Sequence, residues 1–186
     1  LTDQLRDLGL FVARIQAPAS FNLSASGPLD ALEANLNLSV EEGQAAGYKI
    51  EDLTVQLDGV ANLDAPSGNL SVSGQIDGKP LEATAQVVSA DGRTKVDNLD
   101  LAIGPNRLTG ALDLGPDFLP TGDVSFDFPD ISLLAALAGQ TVGGDLKGEI
   151  TLRSEEGRSA ADIDASGSKI TQGDLTISEP RIDLTV

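Results

Sequence analysis

Apolar and polar residues alternate along nearly the whole chain. Phe21, Leu23 and Ala25 are followed by Leu32, Ala34, Leu36, Leu38 and Val40, and then by Leu53, Val55 and Leu57. The same step of two runs through Leu70, Val72 and Ile76, through Leu81, Ala83, Ala85 and Val87, and through Leu99, Leu101 and Ile103. It resumes at Leu108, Leu112 and Leu114, with Gly110 where another leucine is due, and at Val124, Phe126 and Phe128. Leu146, Ile150 and Leu152 continue it, as do Ala161, Ile163 and Ala165, and Ile182, Leu184 and Val186 close it. Successive side chains of a strand point to opposite faces, so such runs predict strands with one face buried. Turn residues separate them: Ser26-Gly27-Pro28, Glu41-Glu42-Gly43, the segment from Asp64 to Gly68, Asp77-Gly78, Asp91-Gly92, Gly104-Pro105-Asn106 and Glu155-Glu156-Gly157. The two Asp-Gly pairs predict two-residue hairpins. The pattern as a whole predicts roughly ten to twelve short antiparallel strands, mostly joined by hairpins.

One segment breaks the alternation. From Asp130 to Gly139 the chain runs through good helix formers, with Asp130 or Ser132 to cap the start and Gly139 to stop it. Leu134 and Leu137 share a face there, and a short helix lying on the apolar side of the sheet as a plug is expected. A similar segment, Thr2 to Gly9, opens the chain. Sliding the chain on itself by about 129 residues pairs Phe21 with Ile150, Leu23 with Leu152 and Ala34 with Ile163, which suggests repeat units 1–129 and 130–186, the second incomplete. Ile50-x-x-Leu53-x-Val55-x-Leu57 likewise resembles Val96-x-x-Leu99-x-Leu101-x-Ile103. The expectation is one continuous β segment over residues 1–186, belonging to a larger protein.

Composition sharpens this. The 186 residues include five Phe and one Tyr but no Trp, Met, Cys or His. The apolar layer is therefore aliphatic and thin. A net charge of −17 argues against nucleic acid, whose phosphates are met by Lys and Arg. It argues equally against electrostatic docking on an anionic membrane surface. Without His or Cys there is no Ser-His-Asp or Cys-His nucleophile system and no zinc site of the usual kind. Paired acids, as at Glu41-Glu42 and Glu155-Glu156, lie beside turns and fit a solvated surface. No catalytic residue, metal ligand or cofactor is expected, and the protein is not expected to be an enzyme.

The glycine-bearing strand from Gly104 to Leu114 leads into Asp-Ile-Ser-Leu-Leu-Ala-Ala-Leu-Ala-Gly (130–139) and then Gly-Gly-Asp-Leu-Lys-Gly-Glu-Ile-Thr-Leu (143–152). Together with the stretch from Ile15 to Gly27, these resemble the TamB family and, as near relatives, AsmA-like proteins. TamB is the inner-membrane-anchored part of the translocation and assembly module of Gram-negative bacteria. The resemblance implies an all-β fold: an elongated antiparallel sheet curled into a U-shaped β-taco or open β-solenoid, with one or two short helices. It implies a periplasmic place, with an inner-membrane anchor outside this chain. It also implies passage of phospholipid acyl chains along an aliphatic groove, in support of outer-membrane biogenesis. A TamA-like outer-membrane barrel would be met through parts beyond this segment, and neighbouring segments of the same chain would continue the sheet.

The residues themselves suit that task, because a conduit for acyl chains needs one continuous apolar face without fixed charge. The expected face comprises Leu53, Val55, Leu57, Leu70, Val72, Ile76, Leu81, Ala83, Ala85, Val87, Leu99, Leu101, Ile103, Leu108, Leu112, Leu114, Val124, Phe126, Phe128, Ile150 and Leu152. Each acyl CH₂ removed from water contributes about 0.8 kcal/mol, so a tail of about fourteen carbons gains on the order of 10 kcal/mol without a hydrogen bond. Two alternatives share the pattern: a structural or adhesive β-solenoid with a filled core, and a chaperone-like groove for outer-membrane protein strands.

Overall fold

A computed structural model describes residues 18–28, 32–45, 47–62, 65–117, 119–155 and 157–186. The proposed opening helix, Thr2 to Gly9, lies outside them. The described residues form an all-β fold with a single short helix. Fourteen strands run β1 (Ala19–Ser26), β2 (Leu32–Ala45), β3 (Tyr48–Ala61), β4 (Ser67–Ile76), β5 (Lys79–Ala90), β6 (Arg93–Ile103), β7 (Asn106–Leu114), β8 (Pro120–Phe128), β9 (Gly143–Gly144), β10 (Leu146–Glu155), β11 (Arg158–Ser166), β12 (Lys169–Gln172), β13 (Leu175–Ser178) and β14 (Arg181–Thr185). The helix α1 spans Ser132–Leu137, between β8 and β9.

Eleven strands make one antiparallel sheet, in the order β1-β2-β3-β4-β5-β6-β7-β8-β10-β11-β14. Apart from the excursions through β9 and through β12–β13, each strand lies beside its neighbour in sequence. Ten interstrand spacings of about 4.8 Å make the sheet about 48 Å wide. The remaining strands form a second, three-stranded sheet, β13-β12-β9. Among the described residues, extensive contacts join only strands that neighbour each other in a sheet, together with α1 and β9.

The expected hairpins form at Asp77-Gly78 and Asp91-Gly92. Both residues of each pair have positive φ (51° and 72°, 53° and 72°), as a type I′ turn requires. At Gly104-Pro105 the glycine takes φ 58° and the proline brings its fixed negative φ, closing Ile103 onto Asn106. The turn expected at Glu41-Glu42-Gly43 does not form. Glu42 pairs with Glu51 and Gly43 with Ile50, inside β2, and the chain reverses further on, with Gly47 at φ 86°. Cross-strand pairing overrides the local turn signal there. Similarly, Ser67 and Gly68 already belong to β4.

The likeness of Ile50-Glu51-Asp52-Leu53 to Val96-Asp97-Asn98-Leu99 has a structural cause. Each segment carries a β-bulge. The register of β3 on β4 shifts between Glu51 and Thr54, and that of β6 on β7 shifts between Val96 and Leu99. Asp52 and Asn98 adopt left-handed φ values of 50° and 53°, which Asp and Asn tolerate better than other non-glycine residues. The extra residue returns Ile50 and Leu53, and Val96 and Leu99, to one face. The 129-residue slide fares differently. It would set Phe21 opposite Ala34 as Ile150 stands opposite Ile163, yet Phe21 pairs with Leu38.

Candidate functional site: the apolar face of the sheet

Directly paired residues of antiparallel strands share a face, so the register assigns every position. Phe21 pairs with Leu38, Leu38 with Val55, Val55 with Val72, Val72 with Ala83 and Ala83 with Leu101. Leu101 pairs with Leu108, Leu108 with Phe126, and Phe126 with Gly148, which faces Ala165, which faces Ile182. One unbroken row of apolar residues thus crosses all eleven strands. Parallel rows run beside it. Leu57, Leu70 and Ala85 form one, and Gly74 pairs with Leu81 and Leu81 with Ile103 in another. Leu99 faces Gly110, Gly110 faces Val124, and Val124 faces Ile150. Val87, Val96 and Leu112 form a further row, with Leu114, Leu152, Ile76 and Phe128 on the same side by alternation.

All twenty-one strand residues expected from the sequence therefore lie on a single face. The face also takes in Leu36, Val40, Ile163, Ala165, Ile182 and Leu184, whose alternation was legible but which had not been joined to the rest, and Ile50 and Val96, which the β3 and β6 bulges put out of step with their own strands. Glu33, Asn35, Ser71, Thr84, Asp100, Thr109, Asp123, Glu149 and Asp164 point to the other side.

Burial divides the two faces. Val40 (1% exposed), Ile50, Leu53, Val124, Phe126 and Ala165 are buried, and every one of them is on the apolar face. Val40, Ile50 and Leu53 pack together, with Val55, Val72 and Leu81 against them, as happens when a sheet curls toward that face. Glycines make room for the closest approaches. A Cβ on Gly74 would fall 2.9 Å from Leu53 Cα, beside the β3 bulge. Across this gap Leu81 of β5 packs against the cluster of Val40, Ile50 and Leu53 on β2 and β3. Elsewhere the same face stays open: Phe21 is 64% exposed, and Leu23, Leu57 and Leu184 are exposed as well. Phe126 and Phe128 stack with ring centroids 5.0 Å apart.

The opposite face is held by polar ladders. Arg107 forks onto both carboxylate oxygens of Asp100, which raises the guanidinium pKa and lowers that of the carboxyl. Arg93 Nη2 lies 3.1 Å from Asp113 Oδ1, and Thr151 donates to Asp123 at 2.8 Å. A depression of about 650 Å³ opens on this polar side over the β6 bulge and is lined by Thr84, Gln86, Asp97, Asn98, Asp100 and Thr109, among others. Among the described residues, no three acids are grouped to hold a metal ion.

The helix sits differently from its expected face. Leu133 is its buried residue (6% exposed), Leu134 is half-buried and Leu137 is exposed, so Leu137 does not plug the sheet. The reason is length. With six residues α1 makes under two turns, and its ends are fixed from outside. Asp130 Oδ1 accepts the Ser132 N–H at 3.0 Å, and Ile131 N–H reaches the Gly144 carbonyl. At the far end Gly139, φ 72°, donates to Ala136 O while Gln140 donates to Ala135 O, a Schellman stop at the glycine expected for it. The β12–β13 hairpin was not expected. Its signal was present in Ile170, Leu175 and Ile177 around the Gly173 turn, interrupted by polar residues. Asp145 fastens it, accepting from Ser168 Oγ and N and from Lys169 N, contacts that hold its carboxyl below the usual range.

Comparison with protein-family models, with curated proteins and with solved structures found no match for the chain.

Proposed function

We propose that this protein is a non-enzymatic lipid-conduit segment, similar to the TamB family. It would work in the periplasm between inner and outer membranes and grip phospholipid acyl chains on its curled apolar face. One observation carries the reading: a continuous aliphatic face crosses eleven strands, bears among the described residues a single charged residue, Lys79, at its margin, and leaves Phe21, Leu23, Leu57 and Leu184 exposed. A face about 48 Å wide exceeds the roughly 20 Å length of one extended acyl chain, so it accommodates tails in series. Grip on the tails by area alone suits a cargo that slides. Partnership with a TamA-like barrel, through parts beyond this segment, belongs to the same proposal.

The test is native mass spectrometry of the chain purified from bacteria and freed of detergent. Phospholipid that co-purifies with the wild type and is lost on Leu101→Asp, with the far-UV circular dichroism kept, supports the conduit. A folded, lipid-free wild type sinks it. A chaperone-like reading, in which an extended outer-membrane protein segment is held, is favoured by the edge strand β1. All eight of its residues are exposed and none is charged, and among the described residues no strand pairs with its outer edge, which suits strand addition. Competition for lipid by a β-signal-like peptide would distinguish it.

A further inference from the structure

One polar cluster interrupts the apolar face, at the rim where the β4–β5 turn, the β6–β7 turn and the chain leading to α1 meet. Lys79 opens β5 opposite Ile76 and is the one charged residue on that face among the described residues. Its stem runs beside Gly104, where an added Cβ would fall 3.2 Å from Lys79 Cδ. Its ammonium donates to Asp130 Oδ2 at 3.2 Å. Asp130 Oδ1 takes both the N–H and the hydroxyl of Ser132. The Asp130 N–H in turn donates to Asn106 Oδ1 at 3.1 Å. Asn106 is 2% exposed, yet its Nδ2 has no acceptor. A buried donor left unmet is costly, and polar groups of this kind are normally satisfied. The Lys79 ammonium also has donors to spare, since it holds three and is one-third exposed.

Resting on the conduit reading, we propose that this cluster receives the headgroup of the bound phospholipid and favours a head carrying both a phosphate and an ammonium. Lys79 and the Asn106 amide supply donors to phosphate oxygens. The Asp130 carboxylate, 43% exposed, accepts from the ammonium. Asn106 Nδ2 is reached as the Lys79–Asp130 contact opens to admit the head. The tails then continue directly onto Ile76, Ile103 and Leu108, the apolar neighbours of Lys79 and Asn106 in the sheet. Lys79 and Asp130 cancel in charge, so an anionic head without an ammonium would set its phosphate against an unanswered carboxylate.

The whole chain, as wild type, Asp130→Asn and Lys79→Met, is titrated by native mass spectrometry with three ligands of equal tails. These are dilauroylphosphatidylethanolamine, dilauroylphosphatidylglycerol and dilauroylglycerol, which has no phosphate. The wild type should hold the ethanolamine lipid roughly tenfold tighter than the glycerol lipid, a difference of about 1.4 kcal/mol. Asp130→Asn should abolish that preference. Lys79→Met should weaken both phospholipids roughly fivefold, about 1 kcal/mol, and leave dilauroylglycerol unchanged. Soluble glycerophosphoethanolamine that competes identifies the free head as sufficient. Failure to compete, with the lipid preference intact, identifies the tail-tethered head as the ligand, and either result supports the site. A preference that persists in Asp130→Asn refutes it, because general repulsion by a chain of net charge −17 would produce that. Equal binding of all three ligands refutes the headgroup site and leaves the conduit standing, whereas binding of none refutes both.

Discussion

Leu53 and Leu57 lie on one strand and one face, yet a carboxylate at the two positions should act very differently. Leu53 is 8% exposed, under the packing of Val40, Ile50 and Leu81 at the bulge. Leu57 is 39% exposed on the open part of the same face. Full burial of a leucine contributes about 1.5–3 kcal/mol, so Leu57→Asp forfeits roughly three-fifths of that, about 1–2 kcal/mol, while its charge stays in water. Leu53→Asp forfeits nearly the whole of it and adds an unpaired buried charge, for a loss of about 5 kcal/mol or more. Domains are stable by only about 5–15 kcal/mol, so the second substitution should leave little folded protein and the first should leave most. Urea unfolding followed by far-UV circular dichroism measures both, since one Tyr and no Trp leave little intrinsic fluorescence. Losses above about 4 kcal/mol at both positions would mean that Leu57 is covered in solution. The face would then be a filled core, and the lipid reading would fall with it.

Two further outcomes follow from close contacts and charge. Gly110→Ala should cost about 2–4 kcal/mol, because its Cβ would fall 2.4 Å from the Asp123 carbonyl oxygen and 2.9 Å from Val124 Cα. Gly78→Ala, in open space at φ 72°, should cost only about 1–2 kcal/mol, and equal thermal destabilisation of the two would contradict the packing of β7 on β8. The Ser132 hydroxyl and N–H, then Lys79, hold the Asp130 carboxyl down from 3.8 to about 2. A group with its folded pKa depressed stabilises fully above its unfolded value. Its contribution, about 1 kcal/mol after solvent screening of a side chain 43% exposed, should therefore disappear as pH falls from about 4 to about 2. Protection of the α1 amides, measured against their intrinsic exchange rates at each pH, should fall over that window in the wild type, and Asp130→Asn should remove that fall.

Much of this molecule follows from period two. The pleat sends alternate side chains to opposite faces, so the alternation from Phe21 to Val186 determined strands and determined which residues share a side. Turn chemistry placed the hairpins at Asp77-Gly78 and Asp91-Gly92, where only residues tolerant of positive φ serve, and Gly139 stopped the helix for a similar reason. Other features depend on partners distant in sequence. Glu41-Glu42-Gly43 has the composition of a turn, but pairing with Glu51 and Ile50 carries the strand straight through. The extra residues at Asp52 and Asn98 leave only an irregular spacing in the sequence. Their meaning as bulges needs the register of β3 on β4 and of β6 on β7. Which helix leucine turns inward depends on tethers outside the helix, the Asp130 carboxylate on the Ser132 N–H and the Ile131 N–H on the Gly144 carbonyl, which no local pattern encodes. What covers the apolar face is decided wholly by the tertiary structure. An aliphatic row beneath a second sheet and one facing an acyl chain have the same alternating sequence, because alternation records that a face leaves water and not what covers it.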